Sequence, residues 1–267
     1  MKSSERPWSS SASLQNSRKY FKEKALKEFD NNYALSILRR SGVLTVDMQE
    51  AFVRGNVERL CFANEKAVLL KHKCGDFMLW CSDTESGLDA LDFADEEIYC
   101  CIGHGKFAVE AIKLRYPDFT IDPPCRQYCL ASREKIPLSG SVTIRPLRLD
   151  EAEIVLEHYA MAHDLEHIRE KIRSCQIFGA EKDGVLAGFI GFHEEGSTGM
   201  LEVFPEFRRM GIGTELENYI QNYQLDRGWM PYGQVYLTND ASLSMQSKLG
   251  LAVSDDIIQW CLLEDED

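Results

Sequence analysis

One segment constrains this chain more than any other: Leu201-Glu202-Val203-Phe204-Pro205-Glu206-Phe207-Arg208-Arg209-Met210-Gly211-Ile212-Gly213-Thr214. A strand-like run, Met200–Phe204, stops at a proline. A short loop brings two arginines and two glycines spaced i, i+2. An amphipathic run over 211–227 follows, with Leu216, Tyr219, Ile220 and Tyr223 on one side. Strand, loop and helix in that order place a helix N-terminus at the end of a sheet. The first-turn amides of such a helix have no intrahelical acceptor and sit at the positive end of its dipole. They form an anion site suited to a pyrophosphate. Gly211 and Gly213 let phosphate oxygens reach the backbone, and Arg208 and Arg209 add charge-assisted hydrogen bonds.

The elements around this segment follow from periodicity and turn residues. Before it, Val142–Leu147 reads as a strand, Asp150 as an N-cap for a helix over Glu151–Tyr159, and 164–174 as a second helix. Gln176–Glu181 and Val185–His193 read as strands joined by a tight turn at Lys182-Asp183-Gly184. After it come a strand at Gln234–Leu237, a helix over Ala241–Leu249 closed by Gly250, and strands at Val253 and Ile257–Leu263. Pro137-Leu138-Ser139-Gly140-Ser141 has the composition of a linker. It divides the chain into an N-terminal α/β domain, 1–140, and a second domain, 141–267.

In the first domain, 19–40 predicts a helix and Thr45 to about Cys61 a further helical stretch. Ala67–His72 and Phe77–Cys81 predict a hairpin about Lys73-Cys74-Gly75-Asp76. Ile98–Ile102 and Gln127–Ala131 predict strands, with a helix over Lys106–Tyr116 between them. Gly103-His104-Gly105 is read as a turn, since no further glycine or basic residue follows at phosphate-loop spacing. Nine cysteines occur without a CxxC pair, so no metal is expected. Cys100, Cys101 and His104 are close in sequence, but Cys100 and Cys101 sit in a run that reads as a buried strand.

Charge narrows the range of partners. The net charge of −13 lies wholly in 141–267, where 23 Asp and Glu stand against 10 Lys and Arg. That field repels phosphate backbones, which argues against nucleic acid, and it suits a cationic amine. No apolar run approaches the ~20 residues needed to cross a bilayer, so no membrane partner is expected. The polar, Ser-rich start lacks the apolar stretch of a signal peptide, and the expected location is cytoplasmic.

The order Leu-x-Val-x-Pro-Glu-Phe-Arg-Arg-x-Gly-Ile-Gly resembles the acyl-CoA signature of the GNAT superfamily of N-acetyltransferases. Asn239-x-x-Ser242, followed by Lys248-Leu249-Gly250-Leu251, resembles that family's later asparagine-containing helix and its ending. The resemblance implies an α+β fold of α/β/α layering, with a mixed, mostly antiparallel central sheet flanked by helices. It implies acetyl-CoA as co-substrate and a small amine, amino acid or peptide amine as acceptor, attacked directly in a ternary complex. A V-shaped opening between the strands at 200–204 and 234–237 is expected to admit the pantetheine arm. Leu201 and Val203 would bond it through their backbone. Arg208, Arg209, Met210, Gly211, Ile212, Gly213 and Thr214 would hold the pyrophosphate. Asn239 would contact the cofactor, and as an N-cap it has a structural role as well. The two-domain layout is similar to the glycine N-acyltransferase group, whose front half is a degenerate GNAT-like fold. Paired association is common in such families, so a homodimer is compatible with the resemblance.

Catalytic residues are less legible. The position of the family's usual general acid, a tyrosine, holds Gln246, which delivers no proton at neutral pH. A glutamate found in some relatives is replaced by Ser197. Glu202 and Glu195 are the carboxylates taken as candidates for the base, with Glu194 and His193 beside them, and Gln246 can hydrogen-bond the sulfur or the product amide. The competing reading is a CoA-binding regulatory or interaction module with weak catalysis.

Overall fold

The computed structural model describes residues 29–162 and 164–263. The first half runs α1 (Asn31–Arg40), α2 (Val46–Val53), β1 (Val57–Ala63), β2 (Ala67–His72), β3 (Phe77–Cys81), α3 (Thr84–Leu91), β4 (Cys100–His104), α4 (Lys106–Arg115), β5 (Thr120–Ile121) and β6 (Cys125–Cys129). The second runs β7 (Thr143–Pro146), α5 (Ala152–His158), α6 (Leu165–Arg173), β8 (Ile177–Lys182), β9 (Val185–Phe192), β10 (Thr198–Val203), α7 (Ile212–Leu225), β11 (Tyr232–Tyr236), α8 (Asp240–Lys248), β12 (Ala252–Val253) and β13 (Ile258–Leu262). Apart from the extra leading strand β7, the two halves repeat one order of elements.

Each half packs helices on both faces of its strands, as their alternation of side chains requires. In β8, Ile177 packs with Val155, Ile168 and Ile172 beneath α5 and α6. Its neighbour Phe178 packs with Ile212, Leu216 and Ile220 beneath α7. In the first half, Leu69 and Leu79 face α3 and α4 through Ala90, Leu91 and Ala108, while Val68, Leu70 and Met78 face α1 through Ile37 and Leu38. This is the α/β/α layering, mostly antiparallel, that the resemblance implies.

The sheets do not part where the linker does. One has the order β1-β2-β3-β4-β13-β6-β11 and the other β10-β9-β8-β7. The last strand of the first half, β6, pairs with β11 of the second, with Gln127 opposite Gln234. The last strand of the second half, β13, lies between β4 and β6, with Trp260 opposite Ile102. Each half therefore lends its final strand to the other. The linker between them is strapped along α7: Asn222 exchanges hydrogen bonds with Ile136 N and O at 2.8 Å each, and the Glu215 carboxylate receives Ser139 N and Gly140 N. Below the seam, the fully buried His104 and Asp47 meet at 2.8 Å. Burial alone would push the Asp47 carboxyl up, but His104 and the Gln127 amide hold it below the usual carboxylate range. His104 is thus a packed structural residue.

Several expectations need correction. The helix expected across Thr45–Cys61 ends at Val53, because Gly55 turns the backbone to φ +70°, and Val57–Ala63 is a strand. Helix α3 has no counterpart in the expectations, although Asp83 caps it by accepting from Ser86 N at 2.8 Å. Asp150 is not the N-cap it was read as; the Glu151 carboxylate instead accepts from Arg148 N and pairs with Arg145. Of the helix expected over 19–40, residues 19–28 lie outside the described residues.

Candidate active site

Strands β10 and β11 approach each other where each begins. A Cβ on Gly233 would fall 2.9 Å from Thr198 O, so only glycine permits the contact. Beyond that point they form no ladder, and a cavity of about 210 Å³ opens between Gly199–Leu201 and Gly233–Tyr236. In the first half, the corresponding strands β3 and β4 pair in parallel from Phe77/Cys101 to Trp80/His104, so that gap is closed.

β10 is bulged at this opening. Its register on β9 passes from Gly199↔Gly191 to Glu202↔Phe189, leaving Met200 and Leu201 without ladder partners. Met200 takes φ +53°, rare for a side-chain-bearing residue, and such strain gathers at functional sites. The bulge leaves Met200 and Leu201, both on the cavity wall, outside the β9 ladder.

Outside the opening, a groove of about 510 Å³ runs past Leu201, Val203, Arg208, Gly211, Gly213 and Thr214 to Ser244 and Lys248 of α8. The first bond of α7 runs from Glu215 N to Gly211 O at 3.0 Å. The amides of Ile212, Gly213 and Thr214 therefore have no helical acceptor. Packing does not require either glycine: a Cβ at Gly211 meets nothing within 4 Å, and one at Gly213 meets only Val203 Cγ2 at 3.6 Å. What they leave is bare backbone facing the groove, while Gly211 at φ +82° also turns the chain into the helix. The matching position in the first half is unlike this. There Asp83 and Glu85 occupy the helix start, where an anion would be repelled.

On the far side, toward the first half, lies a cavity of about 220 Å³ lined by Asp122, Cys125, Glu195, Gln234, Tyr236 and Trp260, with Met161 and His193. His193, Met161, Gln234 and Tyr236 line both this cavity and the one between the strands. Leu201, Ser242 and Met245 line both the latter and the groove. Groove, opening and inner cavity thus adjoin in that order, each sharing wall residues with the next.

Residues 141–251 match the sequence model of the acetyltransferase (GNAT) family. This part of the chain is a GNAT domain. Three solved structures are similar across nearly the whole chain. A Drosophila protein is 17% identical with a TM-score of 0.56, covering 97% of this chain and 98% of that one. A GCN5-related N-acetyltransferase from Kribbella flavida is 14% identical with a TM-score of 0.52, covering 85% and 96%. Another from Sphaerobacter thermophilus is 12% identical with a TM-score of 0.51, covering 90% and 95%. At these identities the likeness is one of fold. No curated protein matches the sequence significantly.

Within the GNAT domain, the residues expected to bind the cofactor fall largely together. Leu201, Val203, Arg208, Arg209, Gly211, Ile212, Gly213 and Thr214 line the groove. Met210 does not, and its side chain is exposed. Asn239 caps α8, accepting from Ser242 N at 3.1 Å, and also lines the opening. The three catalytic candidates are separated. Glu202 stands in the groove, paired with Arg208 at 3.0 Å. Glu195 is buried in the inner cavity, where its carboxylate accepts from the Ser197 hydroxyl. Gln246 lies in the opening, donating to Glu217 Oε1 at 3.4 Å. Glu194 is tied to Lys171 at 2.6 Å and to His167 at 3.0 Å, away from the cavities. Among the described residues no three His, Cys, Asp or Glu gather as a metal site.

The sequence reading names His193 among the base candidates without its placement, and it misses Glu217. The His193 ring, on the wall shared by the two inner cavities, makes no hydrogen bond among the described residues and lies against Gly199, where a Cβ would fall 1.9 Å from Nε2. Glu217, on the inward face of α7, is buried in the opening. A signal for the first was available in Gly199, a glycine inside a strand, which marks a bulge or a close approach.

Proposed function

We propose that this protein is an N-acyltransferase that carries an acetyl group from acetyl-CoA to a primary amine, by direct attack while both substrates are bound. The observation that carries this reading is the succession of groove, opening and inner cavity along shared walls, with free helix amides at one end and His193 on the wall common to the two inner spaces. The pyrophosphate would lie on the amides of α7 with Arg208 and Arg209 beside it. The pantetheine arm would pass along the backbone of Leu201 and Val203 and past Asn239, delivering the thioester to the bulge at Met200.

The amine would enter from the inner cavity, between the halves. Glu195 and Asp122 give that cavity two carboxylates with no cation paired to them among the described residues, which suits an ammonium group. Burial pushes the Asp122 carboxyl up, a shift that a bound ammonium would oppose. His193 would take the proton that the ammonium must lose before its nitrogen can attack. Backbone amides freed by the bulge would receive the oxyanion. Holding the two substrates in line supplies much of the rate.

Gln246, which has no proton to give, keeps a second reading in view: a CoA-binding module with little catalysis. Thermal unfolding with acetyl-CoA, CoA and longer acyl-CoAs tests the donor site. A ligand that binds the native state raises the Tm. The wild type is expected to shift and a Gly211→Glu/Gly213→Glu double variant is not. Absence of any shift in folded wild type would sink the donor site. Binding without turnover on a panel of tyramine, 1,4-diaminobutane, alanine and a lysine-containing peptide would favour the binding module.

A further inference from the structure

The wall of the opening formed by α7 and α8 is polar, buried and incompletely satisfied. Glu217, Gln221 and Gln246 are 6%, 2% and 8% exposed, and all three line the opening. Gln246 Nε2 donates to Glu217 Oε1 at 3.4 Å. Gln221 stands one turn from Glu217 on the same helix face, and its Oε1 has no hydrogen-bond partner. No cation pairs with Glu217 among the described residues. A buried polar group left unmatched costs stability that a packed core would not sacrifice without return. Such a wall is adapted to something that enters the opening and carries polar atoms of its own.

We infer that Glu217, held by Gln246 on this wall, is the proton donor to the thiolate that departs from the acyl carrier. This inference rests on the acyltransferase reading above. The geometry supplies the reason. Gln246 occupies the position at which the GNAT resemblance places an acid, and the side chain it contacts is a carboxyl group on the wall of the same opening. The acid is displaced by one residue rather than missing. Burial also keeps the Glu217 carboxyl protonated to about pH 7, although hydrogen bonds from Gln246 and Gln221 pull the other way. An acid of that strength can protonate a thiolate, whose conjugate thiol ordinarily titrates near 8.5. The other titratable groups on the cavity are His193 and the phenols of Tyr159, Tyr232 and Tyr236. Burial pushes all three phenols up, which leaves them poorer proton donors than Glu217 near neutrality.

His193 takes the first proton of the ammonium and releases it to solvent; the amine nitrogen then bonds to the thioester carbonyl carbon, and its second proton passes to the freed His193. The carbon–sulfur bond breaks and its electron pair leaves with sulfur. Sulfur takes the proton of Glu217, which becomes a carboxylate and is reprotonated from solvent after the thiol departs.

The test is the pH dependence of kcat for Glu217→Gln and Glu217→Asp beside wild type, with acetyl-CoA and the best acceptor of the four-amine panel. Glutamine keeps the shape and the contact with Gln246 but not the proton. The wild type is expected to lose kcat as pH rises above about 7, because the acid form is depleted. Glu217→Gln is expected to lower kcat about tenfold to a hundredfold, to abolish that alkaline limb, and to leave the KM and the thermal shift for acetyl-CoA unchanged. Glu217→Asp should retain a displaced limb. A merely structural role would change KM or lower kcat alike at every pH, without removing the limb. Wild-type turnover whose kcat and limb survive in Glu217→Gln overturns this inference and leaves the acyltransferase reading intact. Acetyl-CoA binding without wild-type turnover on any panel amine overturns both.

Discussion

The guanidinium of Arg54, in the first half, donates from Nη1 to the carbonyl of Gly196, in the second, at 2.8 Å. Gly196 belongs to the turn that carries Glu195 and Ser197, so an arginine far away in sequence holds one edge of the inner cavity. The same guanidinium donates to Gln224 Oε1 and Met230 O at 3.0 Å each, and pairs with Glu50 at 3.0 Å. It also lies over the rings of Trp229 and Tyr232.

Both members of the Arg54–Glu50 pair are about 5% exposed. Removing one partner of a buried pair leaves the other uncompensated, at a cost of about 3–5 kcal/mol. Arg54→Ala is therefore expected to lower unfolding stability by that order in urea denaturation, and to weaken amine binding more than acetyl-CoA binding. A loss below about 1 kcal/mol would mean that the pair is not the clasp its geometry describes.

His193 has a sharper expectation. His193→Gln should reduce kcat by about 10²–10⁴ with little change in the thermal shift given by acetyl-CoA. Gly199→Ala should reproduce part of that loss by a different route, since the new methyl group occupies the place of the ring. Normal turnover in both variants would remove His193 from the reaction.

Glu202 offers a contrast. Its carboxylate is spent on Arg208 in the groove rather than turned to the inner cavities. Glu202→Gln frees Arg208 and removes a negative charge beside the pyrophosphate position. Acetyl-CoA binding is expected to tighten severalfold, with kcat within about threefold of wild type, by calorimetry and steady-state assay. A hundredfold fall in kcat would instead make Glu202 the base.

Glu217 is expected to weaken the fold it sits in at neutral pH. Its carboxyl is raised from 4.5 to about 7. A raised folded-state value means that the native state binds the extra proton, so stability is full below about pH 4.5 and declines as pH climbs through about 7. The loss approaches about 3 kcal/mol. Glu217→Gln should cancel it. Its Tm relative to wild type should rise steadily between pH 4.5 and 8, and a pH-independent difference would show that the carboxyl does not titrate in that window.

Much of the fold was legible because local chemistry decides it. The hairpin at 73–76 turns on Gly75 at φ +105°, and α8 is followed by Gly250 at φ +67°, both positions that glycine favours. The groove was legible because its amides, arginines and glycines lie within one short segment. Val57–Ala63 was not, since Val-Glu-Arg-Leu-Cys-Phe-Ala can serve a helix face as well as a strand, and its partner strand decides. The exchange of β6 and β13 has no local signature at all, because strand partners are chosen by tertiary packing. Glu217 reads in sequence as one more polar position on an amphipathic helix, and only the splayed strands beside it make it an acid.

The exchange also has a consequence for synthesis. Domains usually fold as they leave the ribosome, N-terminal part first. Here β4 and β6 stay unzipped from each other until β13 has emerged to fill the slot between them. The first half must wait, with two open strand edges, for nearly the whole of the second to be translated. Cutting the chain at its linker would yield two fragments each missing a strand, and co-expressing them should restore a folded heterodimer that neither forms alone.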